Sequence, residues 1–85
     1  MLDRPFFRVP ILDLVRQSIP GLPPDRDIRA NDDLREAGLT SVGSVNLMLA
    51  LEAAYDLAIP DAELTPANFR SIQAIEALIL RLKCG

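Results

Sequence analysis

A proline inside a helix removes a backbone donor and clashes with the preceding turn, so prolines mark where a chain can be regular. Here Pro20-Gly21 and Pro60-Asp61 interrupt the sequence, and residues 40–55 between them contain no proline. Upstream, Phe7, Ile11, Leu14, Val15 and Ile19 follow the three-and-four spacing of one helix face. Pro10 fits such a helix only in its first turn, where a missing N–H costs little. The pattern predicts a first helix over residues 9–18, ended by Pro20-Gly21.

The proline-free stretch 40–55 is the clearest helix. Leu47, Met48, Leu51 and Tyr55 share one side, assigned to the core, while Val42, Val45 and Leu49 lie on another. A helix apolar on two sides is either buried twice or offers its second face to a partner. Gly43 falls in the first turn, where its flexibility costs least. Beyond Pro60, Thr65-Pro66 reads as an N-cap with proline at the first helical position, opening a short third helix over residues 65–69. Ser71 can cap a fourth, with Ile72, Ile75, Leu78, Ile79 and Leu82 as its apolar stripe. Arg81 and Lys83 suit the negative end of that helix. Residues 20–39 are left as a long loop, with Ile28, Leu34 and Leu39 spaced as apolar pins. A turn of helix near residues 32–37, closed by Gly38, is expected within it.

The fold class is therefore all-α, a four-helix bundle with a short third helix and a long loop between helices 1 and 2. Aromatics are only 5% of residues, so Leu, Ile, Val and Ala must do the packing. That suits helices better than a sandwich of aromatic and β-branched strands. At 85 residues the chain is expected to form a single domain, 1–85. A net charge of −3, with Lys and Arg scattered, disfavours nucleic acid as a partner. No apolar run approaches the roughly 18 residues that span a bilayer, so no membrane partner is expected. Residues 1–10 lack the apolar segment of a secretory signal, which points to the cytoplasm. His is absent and Cys84 is the lone cysteine, leaving nucleophilic triads and zinc sites without their usual parts. The chain is not expected to be an enzyme or to hold a metal.

The chemistry lies at Gly38-Leu39-Thr40-Ser41-Val42. One hydroxyl is enough to cap a helix, and here two stand side by side. If Thr40 caps, Ser41 enters the first turn with its Oγ free to point outward. A phosphate attached there would lie beside unpaired N–H groups and the positive end of the helix dipole. Gly43 would leave the approach uncrowded. On local pattern alone, the simpler reading is that both hydroxyls merely cap.

Residues 34–82 resemble the acyl carrier protein family. The likeness is carried by Gly38-Leu39-Thr40-Ser41, by Val45 with Leu47-Met48-Leu49-Ala50-Leu51-Glu52, by Tyr55-Asp56, Ile59-Pro60-Asp61, and by the closing helix from Ser71. It implies the family's four-helix fold, and it overturns the capping-only reading. The serine matching Ser41 is esterified by 4′-phosphopantetheine from coenzyme A, whose thiol carries an acyl or aminoacyl group as a thioester. The resemblance also implies that helix 2 is the recognition surface, making Val42, Val45, Asn46 and Leu49 the expected partner-binding residues. The implied partners are a phosphopantetheinyl transferase, an acyl- or aminoacyl-carrier ligase and a downstream transferase, met by a monomer.

Departures from the family pattern narrow the expectation. The family usually has Asp-Ser-Leu where this chain has Thr40-Ser41-Val42. Asn46, Ala53 and Ala54 stand at positions often acidic in the family, leaving Glu52 and Asp56 as the carboxylates of helix 2. Weak electrostatic steering follows, which disfavours a housekeeping fatty-acid carrier. Leu64 and Phe69-x-Ser71-Ile72-x-Ala74-Ile75-Glu76 are similar to stand-alone bacterial aminoacyl carrier proteins, which truncated homologues of aminoacyl-tRNA synthetases load. The rival expectation is a helical interaction module in which Ser41 only caps and the Val42 face binds a partner helix. Asp25, Asp27, Asn31, Asp32 and Asp33 lack the spacing and terminal Glu of a calcium loop and read as solvated. Cys84 reads as an inert terminal thiol.

Overall fold

The computed structural model describes residues 4–84, with side chains described over residues 11–83. It is all-α among those residues: α1 (Arg4–Ser18), α2 (Ser41–Tyr55) and α3 (Ile72–Cys84), with a 3-10 helix at Asp61–Glu63. α1 packs against both α2 and α3 and forms the common wall of the bundle. The expected apolar faces meet there. Ile11, Val15 and Ile19 of the first stripe are buried together with Leu47, Met48 and Leu51 of α2 and Ile72, Ile75, Leu78 and Ile79 of α3. Leu14, Tyr55 and Leu82 sit at the margin, partly buried against this cluster. Phe7 and Cys84 lie outside the described side chains.

Two expectations need correction. α1 starts upstream of residue 9, so Pro10 lies inside the helix and Pro5 takes the first-turn position that tolerates proline. The third helix is a single turn. Thr65 Oγ1 accepts the Asn68 N–H at 3.2 Å and the Thr65 carbonyl accepts the Phe69 N–H at 3.2 Å, as a cap should. The Ser71 hydroxyl then accepts the Ala74 N–H at 3.1 Å and starts α3, leaving no room for a second turn. Arg81 and Lys83 lie in the last turn of α3, as the dipole favours, and each also reaches another element. Arg81 pairs with Glu63 at 2.9 Å, and the Lys83 ammonium donates to the Tyr55 carbonyl at 3.0 Å, satisfying an orphan acceptor at the end of α2.

The long loop is ordered by its pins and by its hydrogen bonds. Ile28, Leu34 and Leu39 are all buried. The Leu34 N–H donates to the Arg70 carbonyl and the Gln73 N–H to the Ala30 carbonyl, both at 2.8 Å, stitching the loop to the start of α3. The helical turn expected before Gly38 is present. Leu39 N–H bonds to the Leu34 carbonyl at 2.9 Å and Gly38 N–H to the Arg35 carbonyl at 3.1 Å, the paired closure of a Schellman motif. Gly38 has φ +114, a conformation that a Cβ would strain. Asp32 and Asp33 use their carboxylates to accept the Arg29 and Arg35 N–H groups, each at 2.9 Å.

Gly43 has a different role from the one expected. It is buried, on the core side of α2, and does not border the approach to Ser41. A Cβ there would lie 2.8 Å from the Ser18 carbonyl oxygen and 3.0 Å from Leu39 Cδ1. Glycine is what lets the start of α2 abut the end of α1. Gly43→Ala should therefore cost about 1–3 kcal/mol, as overpacking does. The measurement is urea unfolding, with a lower midpoint and an unchanged slope expected. An unchanged midpoint would show that the two helix ends are not in close contact.

Candidate functional site

The start of α2 separates its two hydroxyls. Thr40 is extended, with φ −98 and ψ 175, and its Oγ1 accepts the Gly43 N–H at 3.0 Å. The Thr40 carbonyl accepts the Ser44 N–H at 2.8 Å, the first rung of the helix. Thr40 is the cap, as the sequence suggested. Ser41 is the first helical residue, and it is exposed. At this position its own N–H and that of Val42 have no intrahelical acceptor, so an anion on Ser41 would meet bare donors and the positive end of the dipole.

Ser41 also borders a shallow cleft of about 310 Å³. Leu39, Thr40, Ser44 and Val45 line it from the α2 side, Leu64, Thr65 and Pro66 form the opposite wall, and Arg35 stands at the loop side. The Leu64–Pro66 wall is held by Asn68, whose amide donates to the Glu63 carbonyl at 2.8 Å and to its carboxylate at 2.9 Å. A chain attached to Ser41 would find apolar contact in this cleft from Leu39, Val45, Leu64 and Pro66, and a cation in Arg35. The mixed lining fits a long flexible arm of alternating apolar and hydrogen-bonding groups with a phosphate at its root.

The second face of α2 is free. Val42 is 70% exposed, Leu49 53% and Val45 39%, and Asn46 is exposed between them. These four share one side of the helix, immediately beside Ser41. Glu52, one turn past Leu49, uses its Oε2 to accept the Ile59 N–H at 2.7 Å and pins the chain leaving α2. Asp56 closes the helix in the left-handed conformation, φ 53, with its N–H on the Glu52 carbonyl. Far from the site, burial, followed by the nearby Glu76 carboxylate, pushes the Tyr55 phenol above its ordinary range. Among the described residues no group of three His, Cys, Asp or Glu side chains is placed to hold a metal, and no helix is long and apolar enough to cross a membrane.

Sequence reasoning anticipated the Thr40 cap, the exposure of Ser41 beside it and the exposed stripe. It missed the cleft, because Arg35, Ser44, Leu64 and Pro66 meet only through tertiary packing. Local periodicity carries no sign of that meeting.

Comparison with known proteins agrees with the geometry. The family described as phosphopantetheine attachment site matches residues 11–79. The chain belongs to this family of phosphopantetheine-bearing carrier proteins, whose cofactor is covalently attached 4′-phosphopantetheine. Among curated relatives, it is 41% identical over 70 residues to aminoacyl carrier protein 2 of Bradyrhizobium diazoefficiens, covering 82% of this chain and 79% of that protein. In solved structures it is similar to the carrier protein from Agrobacterium tumefaciens complexed with an engineered Bradyrhizobium japonicum glycine:[carrier protein] ligase and ATP. The TM-score is 0.76 at 35% identity, over 88% of this chain and 97% of that one. A glycylated carrier protein complexed with the Bradyrhizobium japonicum ligase matches with a TM-score of 0.74 at 33% identity, over 86% and 97%. The resemblance read from the sequence, including its aminoacyl branch, is borne out.

Because Thr40 holds the cap, its loss should be felt and the loss of Ser41 should not. Thr40→Ala is expected to cost about 1 kcal/mol and Ser41→Ala much less. Their urea midpoints test this, and the reverse order would move the cap to Ser41.

Proposed function

We propose that Ser41 is the attachment point of the arm and that the chain works as an aminoacyl carrier, loaded by a ligase of the kind seen with its structural neighbours. The observation that supports this most directly is the division of labour between the two hydroxyls. Thr40 is engaged with the Gly43 N–H, and Ser41 is exposed at the mouth of a cleft. In the attachment step Ser41 Oγ attacks the β-phosphorus of coenzyme A. The pyrophosphate P–O bond breaks, the nucleotide bisphosphate leaves with the electron pair, and the hydroxyl proton passes to a base on the transferase. Once bound, the arm supplies a thiol on which a carboxyl group is held as a thioester.

The chain's own residues then position the cargo. Leu39, Val45, Leu64 and Pro66 offer the arm an apolar wall, and Val42, Val45, Asn46 and Leu49 form the docking face. Those four residues are uncharged and the carboxylates of α2, Glu52 and Asp56, stand at its far end, so docking relies on apolar contact near Ser41 more than on steering. On this reading the chain acts as a monomer in the cytoplasm. It catalyses nothing itself, and the transferase and ligase supply the chemistry.

The test is intact mass. Exposure to coenzyme A and a promiscuous phosphopantetheinyl transferase should raise it by one arm, and ligase with amino acid and ATP should then add one aminoacyl group. Ser41→Ala should show neither increase. A wild-type mass that stays constant would return the chain to the class of plain interaction modules.

A second expectation concerns the docking face. Leu49→Ala should slow loading of the holo protein while its stability stays close to wild type, because the side chain is not in the core. Raising sodium chloride should change the loading rate only modestly, although screening tightens to a Debye length of about 3 Å at 1 M. Loss of most of the rate in moderate salt would mean that charge and not apolar contact dominates docking.

A further inference from the structure

We propose that the Arg35 guanidinium pairs with the phosphodiester formed on Ser41 and fixes the root of the arm against the cleft. This rests on the attachment reading above. Three observations support it. Arg35 and Ser41 line the same cleft, on two sides of Leu39 and Thr40. The Arg35 backbone is held twice, its N–H by Asp33 Oδ1 at 2.9 Å and its carbonyl by the Gly38 N–H at 3.1 Å. Its exposed side chain makes no ion pair with any described carboxylate, whereas Arg81 is engaged by Glu63. A cation that is placed by a rigid turn, with no ion-pair partner among the described residues and beside the proposed acceptor hydroxyl, suits a phosphodiester monoanion. Guanidinium offers paired donors that match phosphate oxygens, which a lysine does not.

Such a pair would do more than bind. The arm leaves Ser41 through rotatable bonds and, untethered at its root, would sample all directions from an exposed residue. Pairing at the phosphate selects those directions that lead along the Val45–Leu64 cleft. Because the site is open to water, the pair is modest in strength and yields to salt and to the ligase.

The experiment is phosphorus NMR on fully modified protein, wild type against Arg35→Gln and Arg35→Lys, with modification first verified by intact mass. Sodium chloride is raised from about 0.01 M to about 1 M, over which the Debye length falls from about 30 Å to about 3 Å. In wild type the phosphodiester resonance should move with salt as the pair is screened. In Arg35→Gln it should begin near the wild-type high-salt position and stay there, with Arg35→Lys between the two. The Arg35 side-chain Nε–H signal should also shift between apo and holo wild type, and the Arg70 signal should not. A phosphorus resonance with the same position and salt response in wild type and Arg35→Gln would overturn the pairing and leave the attachment reading standing. Failure of wild type to take up the arm would overturn both.

Discussion

The site depends on the close approach of two helix ends. The start of α2 abuts the last carbonyls of α1 because Gly43 has no side chain, and a methyl group there would collide with the Ser18 oxygen at 2.8 Å. That contact fixes the direction in which α2 leaves Thr40. The Gly43 N–H is thereby turned to Thr40 Oγ1, and the next hydroxyl along, on Ser41, is turned to solvent. The capping hydroxyl and the free one fall on adjacent residues because the backbone between them is held from the core side.

The long loop completes the site by a second set of constraints. Two residues separate the Schellman closure at Gly38 from Ser41, so the turn that carries Arg35 is tied rigidly to the helix start. The opposite wall, at Leu64–Pro66, is held by the Glu63–Asn68–Arg81 network, which reaches across to α3. Neither wall belongs to a long helix. Backbone-to-backbone bonds such as those from Leu34 to Arg70 and from Gln73 to Ala30 replace helical rungs there. They explain how a stretch with little secondary structure can keep a defined cleft.

Most of the bundle was legible in the sequence, and the reason is physical. Ile11, Val15 and Ile19, or Ile72, Ile75 and Ile79, are apolar at helical spacing because one face of each helix must leave water, and that demand is local in sequence. Thr40 and Ser71 were legible as caps for the same reason: a cap acts within three residues. What was misread depended on contacts distant in sequence. Gly43 looked like a flexible residue near the site, yet its role is set by Ser18 on another helix. Glu52 looked like a surface charge, yet it binds the Ile59 N–H. Lys83 stands in the last turn of its own helix as expected, and only its bond to the end of α2 lay beyond the reach of local pattern. The identity of the arm had no local signal at all; only likeness to a family carried it.

The carboxylates of α2, Glu52 and Asp56, stand at its far end, and its first two turns carry none. Val42, Val45 and Leu49 are exposed on the side of α2 that begins beside Ser41, and on the proposed reading docking rests on shape and apolar contact there. The account as a whole stands on one claim, that the hydroxyl left free by the cap is the one that is modified. Tandem mass spectrometry of the protein after full modification from coenzyme A reads this most directly. The arm should be found on Ser41 in every modified molecule, with Thr40 and Ser44 bare. An arm on Thr40 or Ser44 would contradict it.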